Sequence, residues 1–214
     1  MGGAHFRTDE GFVSGAVADV EKLQRTVGLS PDSRVLDWGC GAGRLNVGIK
    51  HVFGHVRDYH GIDVQKPLVR WARRHLADDH SRFALAEDHN ARYNPDGVAT
   101  HRLARRSDNV DVFHAYSVFS HMGTADVAGY SRDIARVLAP QGLAWVTAFV
   151  EDDVPHETEN PAGYGDLDWS GPLHCVLFNR SFLEGVFAGA GLEVVGFEHG
   201  QETDGQSAYV LRAR

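Results

Sequence analysis

The chain has 214 residues, 43% of them hydrophobic and 23% charged, enough for one packed domain and too apolar for disorder. Its 29 acidic residues against 21 basic ones leave a net charge of -8, which disfavours general binding to a phosphate backbone. Two cysteines, Cys40 and Cys175, lack paired-ligand spacing, which argues against a disulfide framework or a cysteine zinc site and for a reducing compartment.

The opening stretch, Met1 to Arg7, has no basic segment followed by an apolar core, and the residues after Gly2 do not fit a myristoylation signal. No run approaches the roughly 20 apolar residues of a membrane span, so the expected location is the cytoplasm, with no membrane partner. Over residues 12–27, Val13, Val17, Val20, Leu23 and Val27 recur at helical spacing, which predicts an amphipathic helix. Arg34-Val-Leu-Asp37 is an apolar run that stops in glycines, as a buried parallel strand does. A helix over 42–53, a strand over 59–64 and a helix over 67–77 follow, the last with Pro67 in its permitted first turn. Residues 81–86 read as a third strand, 98–106 as a helix and 110–116 as a fourth strand. A helix over 124–138 ends at Pro140-Gln-Gly142 and passes into a fifth strand over 143–150. After a final helix over 180–191, strands over 192–197 and 208–212 pair antiparallel. This order predicts an α/β fold: a doubly wound three-layer sandwich around a seven-stranded, mostly parallel sheet with an antiparallel last strand. Residues 1–214 form one expected domain, and the irregular stretch 151–178 is a lid-like insertion.

The most informative stretch is Val35-Leu-Asp-Trp-Gly-Cys-Gly-Ala-Gly-Arg-Leu45. Glycines at 39, 41 and 43 allow a tight turn and let the main chain lie against a ligand. A dinucleotide fingerprint would place its third glycine where Arg44 stands, and a carboxylate at Asp37 would oppose a pyrophosphate. The same carboxylate suits a ligand with an ammonium or sulfonium charge, such as S-adenosylmethionine. Asp63, ending the second strand, can accept the hydroxyls of a ribose or cap the following helix, and Val64 can pack on a base. Past the third strand, Glu87-Asp88 offers an acceptor for an adenine amino group, with Glu87 preferred.

Four places carry a resemblance to class I S-adenosylmethionine-dependent methyltransferases over nearly the whole chain. Leu36-Asp-Trp-Gly-Cys-Gly-Ala-Gly43 resembles the family's first motif, and Gly61-Ile-Asp-Val64 its ribose-binding acid. Asp111-Val-Phe-His-Ala-Tyr-Ser-Val-Phe-Ser-His121 resembles its fourth-strand motif, and Arg136-Val-Leu-Ala-Pro-Gln-Gly-Leu143 the motif before strand five. The resemblance implies cofactor contacts from Asp37, Gly39, Gly41, Asp63, Val64 and Glu87, with Ala115 and Tyr116 near the methionine end. Trp38, Cys40 and Asp88 complete that expected set. Gln141 departs from the usual glycine, and Trp38 from a small or aliphatic residue, where it can narrow the cofactor mouth.

Methyl transfer from a sulfonium is an in-line displacement that alignment in a dry pocket can accelerate without a catalytic side chain. Should the acceptor be a hydroxyl, His121, just past strand four, is the first candidate to share its proton, against the simpler role of bonding loop backbone. His114, Tyr116 and His174 are weaker candidates. His51/His55 and His75/His80 have no third ligand and read as surface residues, so no metal is expected. Seven carboxylates in 151–168 suit an amine-bearing acceptor or a solvated loop, whereas Arg102, Arg105 and Arg106 suit an anionic one. The expected reaction moves a methyl group to an oxygen or nitrogen of a small molecule, a sugar or secondary metabolite, by a monomer or homodimer. The alternatives are a nucleic-acid methyltransferase, an NAD(P)-dependent oxidoreductase and a non-catalytic S-adenosylmethionine-binding regulator. The oxidoreductase would need a Tyr-x-x-x-Lys pair, which none of the three lysines supplies.

Overall fold

The computed structural model describes residues 8–214; Met1 to Arg7, on which the readings of a missing leader and of Gly2 rested, lie outside it. Helices α1 (Asp9–Val27), α2 (Arg44–Phe53) and α3 (Lys66–His75) alternate with strands β1 (Arg34–Trp38), β2 (Asp58–Asp63) and β3 (Ser81–Leu85). Then come β4 (Val110–Ala115), α4 (Thr124–Val137), β5 (Leu138–Glu151), β6 (Glu157–Glu159), β7 (Val176–Asn179), α5 (Arg180–Gly189), β8 (Leu192–Glu198) and β9 (Ser207–Ala213). Strands β3, β2, β1, β4 and β5 are parallel neighbours in that order. β9 runs antiparallel to β5 from Leu143 to Ala148 and pairs antiparallel with β8. These seven strands are the expected sheet. Beyond them, Phe149–Glu151 of β5 pairs with β7, and β7 with β6, so the insertion 151–178 contains two short strands that alternation did not reveal.

Alternate strand residues feed two cores. Val35, Tyr59, Val112 and Trp145 pack with Val20 and Leu23 of α1, Leu45 and Ile49 of α2 and Val69 of α3. Leu36, Ile62, Phe113 and Val146 pack with Val127, Tyr130 and Ile134 of α4 and Leu183 and Phe187 of α5. A sheet covered on both faces explains why its strands read as continuous apolar runs. The expected helix over 98–106 does not form. The backbone N–H of Leu103 donates to Asp133 at 2.6 Å, and Arg136 donates to the carbonyls of Leu103 and Arg105 at 3.3 and 3.0 Å. Side chains of α4 thus satisfy backbone groups that a helix would have paired internally. No helix of the described residues is long and apolar enough to cross a membrane.

Candidate active site

The carboxyl ends of β1, β2 and β4 open on one cavity of about 1350 Å³, larger than the roughly 300–1,000 Å³ that holds one small ligand. Between β1 and α2 the chain turns through Gly39, Gly41 and Gly43, all with positive φ (77°, 54° and 85°). The N–H groups of Gly39 and Cys40 donate to the Ile62 carbonyl at 2.8 and 3.1 Å. Asp63 locks the turn from the neighbouring strand: its Oδ2 accepts the N–H of Gly41 at 2.8 Å and its Oδ1 that of Gln65 at 2.7 Å. Burial pushes the Asp63 carboxyl above its ordinary range, and those N–H groups pull the other way. Asp63 therefore ties the glycine turn to the start of α3.

Asp37 stands opposite Gly61 on one side and His114 on the other in the strand register. Its Oδ2 accepts the Tyr59 hydroxyl at 2.5 Å, and its Oδ1 accepts the Nδ1–H of His114 at 2.8 Å. The His114 ring lies flat on Trp145, centroids 5.4 Å apart. Tyr116, two residues on, shares that face: its hydroxyl lies 2.6 Å from Thr203 Oγ1, with the Arg44 guanidinium 4.7 Å from its ring centre. Trp38 points to the opposite face and packs on Tyr130 at 4.3 Å. It still lines the cavity.

His121 sits in a single 3-10 turn, Phe119–His121, after β4. A buried network fixes that turn: Ser117 N–H donates to Thr147 at 2.7 Å, Thr147 to Gln206 Oε1 at 2.7 Å, and Gln206 Nε2 to Ser117 Oγ at 3.0 Å. The His121 Nδ1–H donates to the Leu173 carbonyl at 3.0 Å, which sets the tautomer with the lone pair on Nε2. Burial lowers its pKa to about 4, so the ring is neutral at physiological pH. The insertion adds Leu167, Asp168, Trp169 and His174 to the wall. Two of its other carboxylates have different work: Glu157 accepts both the N–H and the hydroxyl of Thr124 at the start of α4, and Glu159 accepts the N–H of Leu173. Among the seven acids of the loop only Asp168 lines the cavity.

Nine of the eleven expected cofactor residues line this cavity: Asp37, Trp38, Gly39, Cys40, Gly41, Asp63, Val64, Asp88 and Tyr116. Glu87 is exposed and lies outside the lining, and half-buried Asp88 lines it instead. Ala115 is fully buried in the core against α4 and α5, because strand alternation turns it away from the face that His114 and Tyr116 share. Arg102 and Arg105 pair with Asp133 and Asp58, and none of the three arginines 102, 105 and 106 reaches the cavity. Sequence reasoning missed Phe12, Trp71, Arg92 and Tyr93, which line it from α1, α3 and the loop after β3. Among the described residues no group of three His, Cys, Asp or Glu side chains is arranged to hold a metal.

A sheet in this order, with its last strand reversed and a glycine turn at the end of β1, defines a class I S-adenosylmethionine-dependent methyltransferase. The family model described as a methyltransferase domain matches residues 12–196, and the chain belongs to that family. It is an enzyme of this type, with S-adenosylmethionine as its cofactor. Solved structures share the fold at low identity. The cyclase SpnF has a TM-score of 0.66 at 18% identity, over 94% of this chain and 82% of that one. The mitomycin 7-O-methyltransferase MmcR gives 0.63 at 18%, over 94% and 55%. Geranyl diphosphate C-methyltransferase from Streptomyces coelicolor A3(2), in complex with Mg2+, geranyl diphosphate and S-adenosyl-L-homocysteine, gives 0.64 at 14%, over 99% and 88%.

Proposed function

We propose that residues 1–214 act as one catalytic domain that methylates an oxygen or nitrogen of a small molecule, a sugar or secondary metabolite. The observation that carries the reading is the glycine turn tied to Asp63. A Cβ on Gly39 would sit 2.4 Å from Val118 Cγ2, whereas one on Gly41 would meet nothing nearer than Leu68 at 3.9 Å. The first glycine is closed in by protein, and the second leaves open space beside the cavity. That cradle and the two carboxylates, Asp63 and Asp37, fit an adenosyl group with a cationic amino-acid tail. Each oxygen of Asp63 accepts one backbone N–H and retains a lone pair for a ribose hydroxyl. Asp37 is oriented by the Tyr59 hydroxyl and His114 Nδ1, so its carboxyl serves the tail as a fixed hydrogen-bond acceptor. Asp88 takes the place at the adenine end that sequence assigned to Glu87.

Bound S-adenosylmethionine supplies an electrophilic methyl group on a sulfonium. The chain's own part is to orient and to exclude water. Phe12, Trp169 and Leu167 line the cavity from α1 and the insertion, and we assign that insertion the role of lid. His121 holds its Nε2 lone pair ready for an acceptor hydroxyl, but with a pKa of about 4 it accepts a hydrogen bond far more readily than a full proton. Its role is to align the acceptor. The cavity's size leaves room for an acceptor beside the cofactor, and two neighbours that share the fold bear names specifying small-molecule acceptors. Net charge argues against a polynucleotide. The test is calorimetry with S-adenosylhomocysteine, then a screen of sugars, phenols, amines and a polynucleotide for its release from S-adenosylmethionine. Tight product binding with turnover on a small acceptor is expected. Absence of binding, or turnover on the polynucleotide alone, would overturn the reading.

A further inference from the structure

Among the described residues, six arginines are half-buried: Arg34, Arg44, Arg92, Arg105, Arg136 and Arg180. Five of them have a carboxylate partner, respectively Asp111, Asp19, Asp58, Asp133 and Glu184. Arg92 has none. Its contacts are one hydrogen bond from Nη1 to the Ser170 carbonyl at the outer limit of 3.5 Å and the face of Tyr93, 5.6 Å from its ring centre. In a chain with eight more acids than bases, a half-buried arginine that lines the cavity without an ion-pair partner leaves its guanidinium free to receive an anionic group.

We propose that Arg92 is the anchor for a carboxylate on the methyl acceptor, and that the acceptor is an aromatic acid. The proposal rests on the methyltransferase reading of the same cavity and names its substrate class. A planar guanidinium receives a carboxylate through two parallel hydrogen bonds. Around it the wall is aromatic: Tyr93 stands edge-on to His121 with centroids 5.3 Å apart, and Trp169 stands edge-on to His174 at 5.1 Å. An acid held at Arg92 would therefore lay its ring among aromatic faces and beside the Nε2 of His121. The charges nearby agree with an anion at this point. Arg92 helps to hold the rings of His121 and His174 below their ordinary pKa, after the larger effect of burial, so both rings stay neutral and leave the guanidinium as the positive charge of this wall. Six aspartates line the cavity, Asp9, Asp37, Asp63, Asp88, Asp168 and Asp204; Asp37 and Asp63 are held by donors on the glycine-turn side, and none of the six forms an ion pair with Arg92 among the described residues.

The experiment loads the full chain with S-adenosylhomocysteine and titrates salicylate, coumarate and caffeate, each beside its methyl ester, into wild type, Arg92→Gln and Arg92→Lys. At least one acid should bind wild type about tenfold or more tightly than its ester. Arg92→Gln should remove that preference, leaving ester and S-adenosylhomocysteine affinities unchanged, and Arg92→Lys should restore part of it through charge alone. Equal affinity of acids and esters, no binding of any acid, or an acid preference that survives Arg92→Gln would overturn the proposal. The cofactor product is titrated first, so failure of the cavity's general assignment would show as absent S-adenosylhomocysteine binding, separately from any result with the acids.

Discussion

Asp63, at the end of β2, and His121, in the turn after β4, differ in what a substitution would remove. Asp63 joins the glycine turn to α3 through two backbone donors, so Asp63→Ala should weaken S-adenosylhomocysteine binding by about 1.5–3 kcal/mol through loss of a charged acceptor. It should also lower the melting temperature, since two N–H groups lose their partner. Calorimetry beside a melting curve separates the effects: Asp63→Asn, which keeps one acceptor oxygen, should recover stability more than affinity. Unchanged affinity in Asp63→Ala would remove the ribose role. His121 should behave oppositely, with His121→Ala leaving cofactor affinity nearly intact and lowering turnover on a hydroxyl acceptor. Because burial holds its pKa near 4, wild-type kcat/KM should show no inflection from this ring between about pH 6 and 8. An inflection there that vanishes in His121→Ala would make it a proton carrier instead of an aligning group. Such single residues were legible where strand order fixes position: Asp37, Asp63 and the glycines are consecutive with a strand end, and strand ends define the site in this architecture. Arg92 and Trp71 were not, because one lies in a loop and the other on a helix whose solvent-facing pattern is that of any surface helix.

At the scale of elements, the turn between β1 and α2 is the piece with least tolerance. Gly39 combines φ of 77° with a Cβ position 2.4 Å from a side chain that is fixed by the turn after β4. Gly39→Ala should cost about 2–4 kcal/mol, from left-handed backbone and overpacking together, and should abolish cofactor binding. Gly28, the left-handed cap of α1, has φ of 69° but nothing within 4 Å of an added Cβ, so Gly28→Ala should cost only about 1 kcal/mol. Urea unfolding of both variants checks the contrast, and equal losses would show that space around Gly39 does not matter. The same reasoning explains which elements the sequence announced. α1 and α4 carry apolar stripes long enough to define a helix, and β1 and β4 carry apolar runs ended by glycine or by a positive-φ serine. Residues 98–106 have helix-compatible composition, but Asp133 and Arg136 capture their backbone, and those partners lie thirty residues downstream, beyond any local window. β6 and β7, of three and four residues, are too short for alternation to register.

For the whole molecule, two cores on either side of one sheet make the protonation of buried histidines costly to the fold. His60 is buried in β2 with no partner for its Nδ1 among the described residues, and burial, then Arg82, lowers its pKa to about 4 from 6.5. His121 is lowered to about 4 by burial as well. The folded state refuses protons that the unfolded chain accepts below about pH 6.5, so stability should be full above that value and fall as pH drops toward 4. Each ring should account for about 2 kcal/mol between pH 7.5 and 5.0, one pKa unit being worth about 1.4 kcal/mol. Asp19 and Asp63 act with the opposite sign: burial raises both carboxyls, so protonation favours the folded state as pH falls through their raised values. The two contributions separate by substitution. Urea unfolding at the two pH values should show a smaller loss in His60→Gln than in wild type, by about the 2 kcal/mol assigned to that ring. His121→Gln should shrink the loss by a similar amount, and because the rings sit in different parts of the fold, the double variant should show the sum. A pH dependence that both variants retain in full would place the acid sensitivity of the fold elsewhere than in its buried histidines.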